Sequence, residues 1–139
     1  MRIAAIDIGT NSIHMIVVQV RADLSFEVID REKDMVRLGA GGLDGKSLTP
    51  TAMAAALQTL SKFKRLADSH KVDTILAAAT SATREAENGG EFLATIERTT
   101  AYWVWVRMSK SPASIQPPTF IPGMCSPGPK RVSVVGPWR

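Results

Sequence analysis

Near the start of the chain, two apolar runs rich in β-branched residues, Ile3–Ile8 and Ile13–Val20, flank the polar tetrapeptide Gly9-Thr10-Asn11-Ser12. This pattern predicts a β-hairpin closed by a tight turn. Asp7 falls at the end of the first strand, beside that turn. A turn of this kind gathers backbone N–H groups, the Thr10 and Ser12 hydroxyls and the Asn11 amide at one spot. Convergent donors suit a phosphate, and an adjacent carboxylate suits a hydrated Mg²⁺ or a polarised water. The same residues also serve an ordinary hairpin whose turn is chosen for backbone geometry alone.

Composition divides the rest of the chain. Residues 1–100 carry 12 basic and 13 acidic residues, a net charge of −1, whereas residues 101–139 carry five basic residues and no acidic one. The second segment also holds seven of the eight prolines, all three tryptophans, the only tyrosine and the only cysteine, Cys125. So abrupt a shift predicts a boundary near Thr100, with 101–139 an irregular, basic, proline-rich tail that is disordered or read from another frame. A lone cysteine excludes an intrachain disulfide and fits a reducing compartment. Asp7 interrupts the apolar stretch too early for a signal peptide. No apolar run approaches the roughly 18 residues of a membrane-spanning helix. The expectation is a cytoplasmic protein with no membrane partner.

After the hairpin, Phe26 to Arg31 reads as a third strand, reached through a turn at Ala22-Asp23. Ala40 to Gly45 reads as a loop, rich in breakers when counted from Gly39. Thr49 is placed to cap a helix with Pro50 at its first position. Met53, Leu57, Leu60, Lys64 and Ala67 keep helical spacing, with Ala56, Phe63 and Leu66 widening the apolar stripe. Val72 to Ala79 reads as a buried strand. A short helix from about Thr83 to Asn88 and an amphipathic helix from Glu91 to about Arg98 follow. Strands, helix, strand and helix in this order predict an α/β fold.

Asp-Ile-Gly-Thr-Asn-Ser, residues 7–12, resembles the first phosphate-binding motif of the Ppx/GppA family of exopolyphosphatases and guanosine pentaphosphate phosphohydrolases. The resemblance continues through Val36-Arg37-Leu38-Gly39, the helix-like stretch from Leu57 to Leu66, and Ala78-Ala79-Thr80-Ser81-Ala82-Thr83-Arg84-Glu85-Ala86-Glu87-Asn88-Gly89. Order and spacing agree from about Ile3 to Arg98. Sugar kinases and Hsp70-like chaperones share the Asp-x-Gly-Thr core but typically follow it with a second Thr, and they lack the Ala-Thr-x-Ala-x-Arg segment. The resemblance implies an incomplete ribonuclease-H-like domain of the actin-like ATPase superfamily. It also implies Mg²⁺ as cofactor and inorganic polyphosphate or guanosine pentaphosphate as the family's substrates.

On this resemblance Gly9, Thr10, Asn11, Ser12 and Arg84 are the expected phosphate-binding residues, and Asp7 the expected metal-binding or water-binding acid. An acid in an apolar strand is costly to bury without a partner, so Asp7 is read either as a cap on the turn amides or as that functional acid. Gly9 permits close approach of an anion, or merely permits the turn. A guanidinium such as that of Arg84 can grip phosphate bidentately, or it pairs with Glu87 or Asn88 on a solvated helix. His14 lies two residues past Ser12, hence on the same strand face, where many family members carry Arg; a structural role is the leading expectation for it.

No residue is assigned as catalytic. The family's Ser-Gly-x-Glu-Glu-Ala-Arg segment, with the glutamate thought to activate water, and its second glycine-rich phosphate motif have no counterpart in these 139 residues. The expectation is therefore a truncated phosphatase domain, inactive as this polypeptide. A neighbouring reading frame over Lys110 to Ser114 can be back-translated to Glu-Val-Ala-Arg-Leu, which makes a frameshift one account of the tail. The alternative is a small non-enzymatic protein whose basic, tryptophan-containing tail binds nucleic acid or another polyanion, although nucleic acid is not the favoured partner. A weaker third reading is a fragment of a sugar-kinase-like ATPase.

Overall fold

A computed structural model describes residues 1–41, 46–100 and 104–106. The elements run β1 (Arg2–Ile8), β2 (Ser12–Val20), β3 (Phe26–Met35), α1 (Pro50–Ser69), β4 (Thr74–Ala79), α2 (Ser81–Glu85), α3 (Gly89–Thr100) and β5 (Val104–Val106). They build one sheet in the order β3-β2-β1-β4-β5. The first three strands are antiparallel neighbours, while β1–β4 and β4–β5 are parallel. The expected tail, apart from β5, lies outside the described residues. Because β5 pairs with β4, the sheet continues past the shift in composition at Thr100.

Alternation along the strands sorts side chains between two faces. On one face Ala4, Ile6 and Ile8 of β1, Ile13, Met15 and Val17 of β2, and Ala77 and Ala79 of β4 are buried. They form one cluster with Ala52, Ala56, Leu60, Phe63 and Ala67 of α1 and with Phe92 and Ile96 of α3. Fully burying a side chain such as Phe63 or Phe92 is worth about 1.5–3 kcal/mol, so this layer stabilises the fold. The other face carries Ala5, Asp7, His14, Ile16, Leu76 and Ala78 and is largely open among the described residues.

The α1 helix begins as its sequence dictates. The Thr49 hydroxyl accepts from the Ala52 amide at 3.1 Å, and Pro50 sits at the first position, where its missing N–H costs nothing. It ends at Ser69 with His70 as its C-cap, and the φ of 53° at Lys71 turns the chain off the helical path. The buried stripe is Ala52, Ala56, Thr59, Leu60, Phe63 and Ala67. Met53, Leu57 and Leu66 are only partly buried against the core, and Lys64 instead pairs with Asp68 at 2.9 Å. The stripe is thus rotated from the expected one, because the small Ala52 and Ala56 permit close approach to the sheet.

Strand β3 extends to Met35, beyond the expected end at Arg31. Its run of charges still alternates: Arg31 and Lys33 are exposed, while Asp30, Glu32 and Asp34 are half-buried. The acids meet partners on α1 and at its C-cap residue His70. Lys62 Nζ lies 3.1 Å from Glu32 Oε2 and 3.2 Å from Asp34 Oδ1, and His70 Nε2 lies 2.9 Å from Asp30 Oδ2. Hydrogen bonding to Glu32, then to Asp34, raises the Lys62 pKa above its ordinary value. A charged edge strand also discourages pairing with other chains.

Candidate functional site

The parallel strands β1 and β4 end side by side, and both of the features singled out from sequence lie at those carboxyl ends. In open α/β sheets this is where ligands bind. The β1–β2 connection is closed by a hydrogen bond from the Gly9 amide to the Ser12 carbonyl at 3.1 Å. A Cβ on Gly9 would stand 2.8 Å from that same carbonyl oxygen, so closing the turn alone demands glycine here. Thr10 and Asn11 point to solvent at the tip. The Thr10 hydroxyl and the Asn11 amide have no hydrogen-bond partner among the described residues. The Ser12 hydroxyl is 2.8 Å from His14 Nε2.

A second segment wraps the turn from outside. The Val36 and Arg37 amides both donate to the Asn11 carbonyl, at 3.0 and 2.8 Å, and the Gly39 amide donates to the Thr10 carbonyl at 2.8 Å. Arg37 is held at φ 51°, the left-handed region that costs a non-glycine residue on the order of 1 kcal/mol or more. Those hydrogen bonds hold it there. A Cβ on Gly39 would meet Thr10 Cγ2 at 2.2 Å, so the wrap is in close contact with the tip.

The start of α2 is tied to the end of β1 in the same way. The Thr80 amide and hydroxyl both donate to the Ile8 carbonyl, at 3.1 and 3.2 Å. Between the turn, the wrap and α2 opens a cleft of about 190 Å³. Thr10, Gly39, Lys46, Ser47, Ser81 and Glu85 contribute to its lining. Its floor is fixed by Asn88, whose Oδ1 accepts from the Leu48 amide at 2.8 Å and whose Nδ2 donates to the Leu48 carbonyl at 2.9 Å. The Glu87 amide adds a bond to the Lys46 carbonyl at 3.1 Å.

Gly9, Thr10, Asn11, Ser12 and Asp7 therefore sit together at one end of the sheet. Asp7 is not buried: its carboxylate is exposed on the open face and has no hydrogen-bond partner among the described residues. This differs from the cap on the turn amides that an acid in an apolar strand suggested. Strand alternation puts Asp7 opposite the core, so no desolvation has to be offset. Arg84 lies on α2 with its Nη2 3.3 Å from Glu85 Oε1, and it is not part of the cleft lining. Lys46, Ser47 and Ser81 were not singled out from sequence. The breaker-rich stretch before Lys46 was the available signal, since such loops supply site rims.

Mg²⁺ prefers one or two carboxylates, several waters and phosphate oxygens. The exposed Asp7 carboxylate fits that role as a single hard oxygen ligand, with the rest of the shell left to water and ligand. No group of three or more His, Cys, Asp or Glu side chains able to hold a metal occurs among the described residues. None of the described helices is long and apolar enough to cross a membrane.

A sequence model of the Ppx/GppA phosphatase family matches residues 16–107. The chain is similar to exopolyphosphatase 2 of Mycobacterium tuberculosis, 35% identical over 96 residues that make up 67% of this chain and 30% of that protein. Its structure is similar to the crystal structure of the Aquifex aeolicus Ppx/GppA family member, with a TM-score of 0.72 and 32% identity over 77% of this chain and 35% of the other. It is equally similar to an exopolyphosphatase from Cytophaga hutchinsonii, with a TM-score of 0.72 and 35% identity over 76% and 34% of the two chains. The chain spans about a third of the length of these relatives. Its α/β sheet is part of a ribonuclease-H-like, actin-like ATPase-type domain.

Proposed function

Because the chain belongs to the Ppx/GppA phosphatase family, we propose that it supplies the phosphate-binding wall of a metal-dependent, cytoplasmic hydrolase that cleaves phosphoanhydride bonds of inorganic polyphosphate or guanosine pentaphosphate. The observation that carries this reading is the turn itself. Thr10 and Asn11 present side-chain polar groups with no hydrogen-bond partner among the described residues, and the exposed Asp7 carboxylate is at the same strand end. Gly9, Thr10, Asn11 and Ser12 would hold a terminal phosphoryl group, with Asp7 holding Mg²⁺ beside it. When bound, the metal neutralises charge on the phosphoryl oxygens. Ser12 offers its hydroxyl to the same group, with His14 setting that hydroxyl's direction. Arg84, one residue from the cleft-lining Glu85, would add a guanidinium for phosphate near the cleft rim.

The 139 residues contain no counterpart of the family's water-activating glutamate segment or of its second glycine-rich motif. We therefore assign this polypeptide binding without turnover. A one-sided site neither orients a water nor excludes bulk solvent. The test is a calorimetric titration of the chain with orthophosphate, with and without Mg²⁺. Saturable binding that strengthens with Mg²⁺ and weakens in Ser12→Ala is expected, with no phosphate released from polyphosphate above a buffer blank. Absence of binding would remove the phosphate reading. Metal-dependent release of phosphate would remove the assignment of an inactive chain.

A further inference from the structure

We propose that the open face of the sheet is a self-association surface, on which a second copy of this chain docks face to face about a two-fold axis along β2. On this face β1, β2 and β3 present three rows of neighbours in register. Ile3, Val18 and Val28 make the first row, Ala5, Ile16 and Arg31 the second, and Asp7, His14 and Lys33 the third. Leu76 of β4 continues the second row beside Ala5. Ile16 is 38% and Leu76 47% exposed, where a sheet face left to water ordinarily carries polar side chains. All three described helices, α2 through Ala82, contribute instead to the apolar cluster on the opposite face.

The order of residues within the rows selects the occupant. A two-fold axis parallel to the strands lays each row on its own reversed copy, as a closed dimer requires. Asp7 of one copy then faces Lys33 of the other, and the reciprocal pair forms on the far side of the axis. The first row is its own complement, since Val18 meets Val18 and Ile3 meets Val28. In the second row Ile16 meets Ile16, while the alkyl stem of Arg31 covers Ala5 and its guanidinium reaches the rim. A two-fold axis across the strands would instead lay Asp7, His14 and Lys33 on Ile3, Val18 and Val28. That arrangement buries charges against apolar side chains and is costly. Charge complementarity thus points to a second copy and sets its orientation.

The size of the face sets the strength. Three strands about 4.8 Å apart, over seven residues at about 3.3 Å each, give a contact of roughly 14 by 23 Å. This is smaller than the roughly 800 Å² per partner of a standard interface, so the dimer is weak, with a dissociation constant on the order of 10–100 µM. Contact is made through the face and not the edge, where the charges of β3 oppose strand addition.

Sedimentation equilibrium on the full chain tests this, over loading concentrations of about 1 to about 500 µM. Because Asp7 is also the proposed Mg²⁺ ligand, divalent cation is left out, and the outcome does not depend on the phosphate reading. The chain should show a reversible monomer–dimer equilibrium. Ile16→Asp should raise its dissociation constant by roughly tenfold or more. Lys33→Glu and Asp7→Lys should each do the same, because each sets like charges opposite one another. An equimolar mixture of these last two variants should recover association to within about threefold of the unmodified chain, since the acid introduced at position 33 then faces the lysine introduced at position 7. A merely structural role for either residue would not be rescued by mixing. All three positions are exposed, and circular dichroism would verify that each variant stays folded. Several results would overturn the proposal. One is a chain that stays monomeric throughout, and a lower unfolding midpoint for Ile16→Asp in that case would place this face under residues of the same chain. Another is a dimer that Ile16→Asp leaves intact, which would assign association to a different surface. A third is a mixture that associates no more tightly than its components.

Discussion

The two faces of strand β1 carry opposite kinds of side chain. Ala4, Ile6 and Ile8 are at most 3% exposed beneath the helices, whereas Asp7, between two of them, is exposed to solvent. One face is organised by packing and the other leaves polar groups for a ligand. The period of two that makes a strand amphipathic thus also separates stability from chemistry within a few residues. The same division runs across the sheet. Ile13 and Met15 are buried beside His14, which opposes Asp7 in register. A site built this way can change its chemistry without disturbing the core beneath it.

The largest effect that would sharpen this contrast is expected deep on the covered face. Phe63 is fully buried, and Phe63→Ala should cost about 3–5 kcal/mol, measured as a lower urea midpoint with an unchanged slope. A cost below about 1 kcal/mol would mean that the layer under α1 is loosely packed. Gly89→Ala probes the junction of the helices behind the cleft. A Cβ there would lie 1.8 Å from the Thr83 carbonyl oxygen, a backbone atom that cannot swing aside. Overpacking of this kind costs typically 1–3 kcal/mol, and it should also displace the neighbouring Asn88 clamp. Thermal unfolding checks the first effect, and faster hydrogen exchange at the Leu48 amide, which donates to Asn88, checks the second.

A smaller effect is expected at the charged edge. Lys62 gains its partners only on folding, and its pKa is raised above 10.5 by Glu32 first and Asp34 second. The pair's contribution is therefore fully present below the unfolded pKa and is lost as pH rises through the higher folded value. Denaturant titrations across that alkaline window should show a loss of stability that Lys62→Met does not share. Equal alkaline losses in both proteins would show that the Lys62 cluster contributes nothing measurable, as many exposed pairs do.

Much of this architecture is legible in the sequence wherever local chemistry decides it. The β-branched runs around Gly9–Ser12 give the hairpin, and Thr49-Pro50 gives the start of α1. Where tertiary contacts decide, it is not. Strand β3 continues through Glu32, Lys33 and Asp34 because α1 supplies Lys62 and Thr59 opposite the acids, a pairing no local pattern reveals. The expected start of β4 at Val72 moves to Thr74, because Asp73 is drawn into reciprocal bonds with the Arg2 backbone. The turn residues and Asp7 were readable as one cluster because they are contiguous. The cleft was not, since it joins Thr10, Lys46 and Ser81 through backbone hydrogen bonds made by Arg37, Gly39 and Asn88.

Asp7 and Ile6 are adjacent on one strand and face opposite ways, so the pair of variants Asp7→Asn and Ile6→Ala tests the central claim most directly. Each would be measured for unfolding free energy and for Mg²⁺-dependent orthophosphate affinity. Ile6→Ala should lose about 2–5 kcal/mol of stability while its folded fraction binds phosphate as before. Asp7→Asn should stay within about 0.5 kcal/mol of the unmodified chain and lose the Mg²⁺-dependent part of its affinity. Full Mg²⁺-dependent binding in Asp7→Asn would contradict the account.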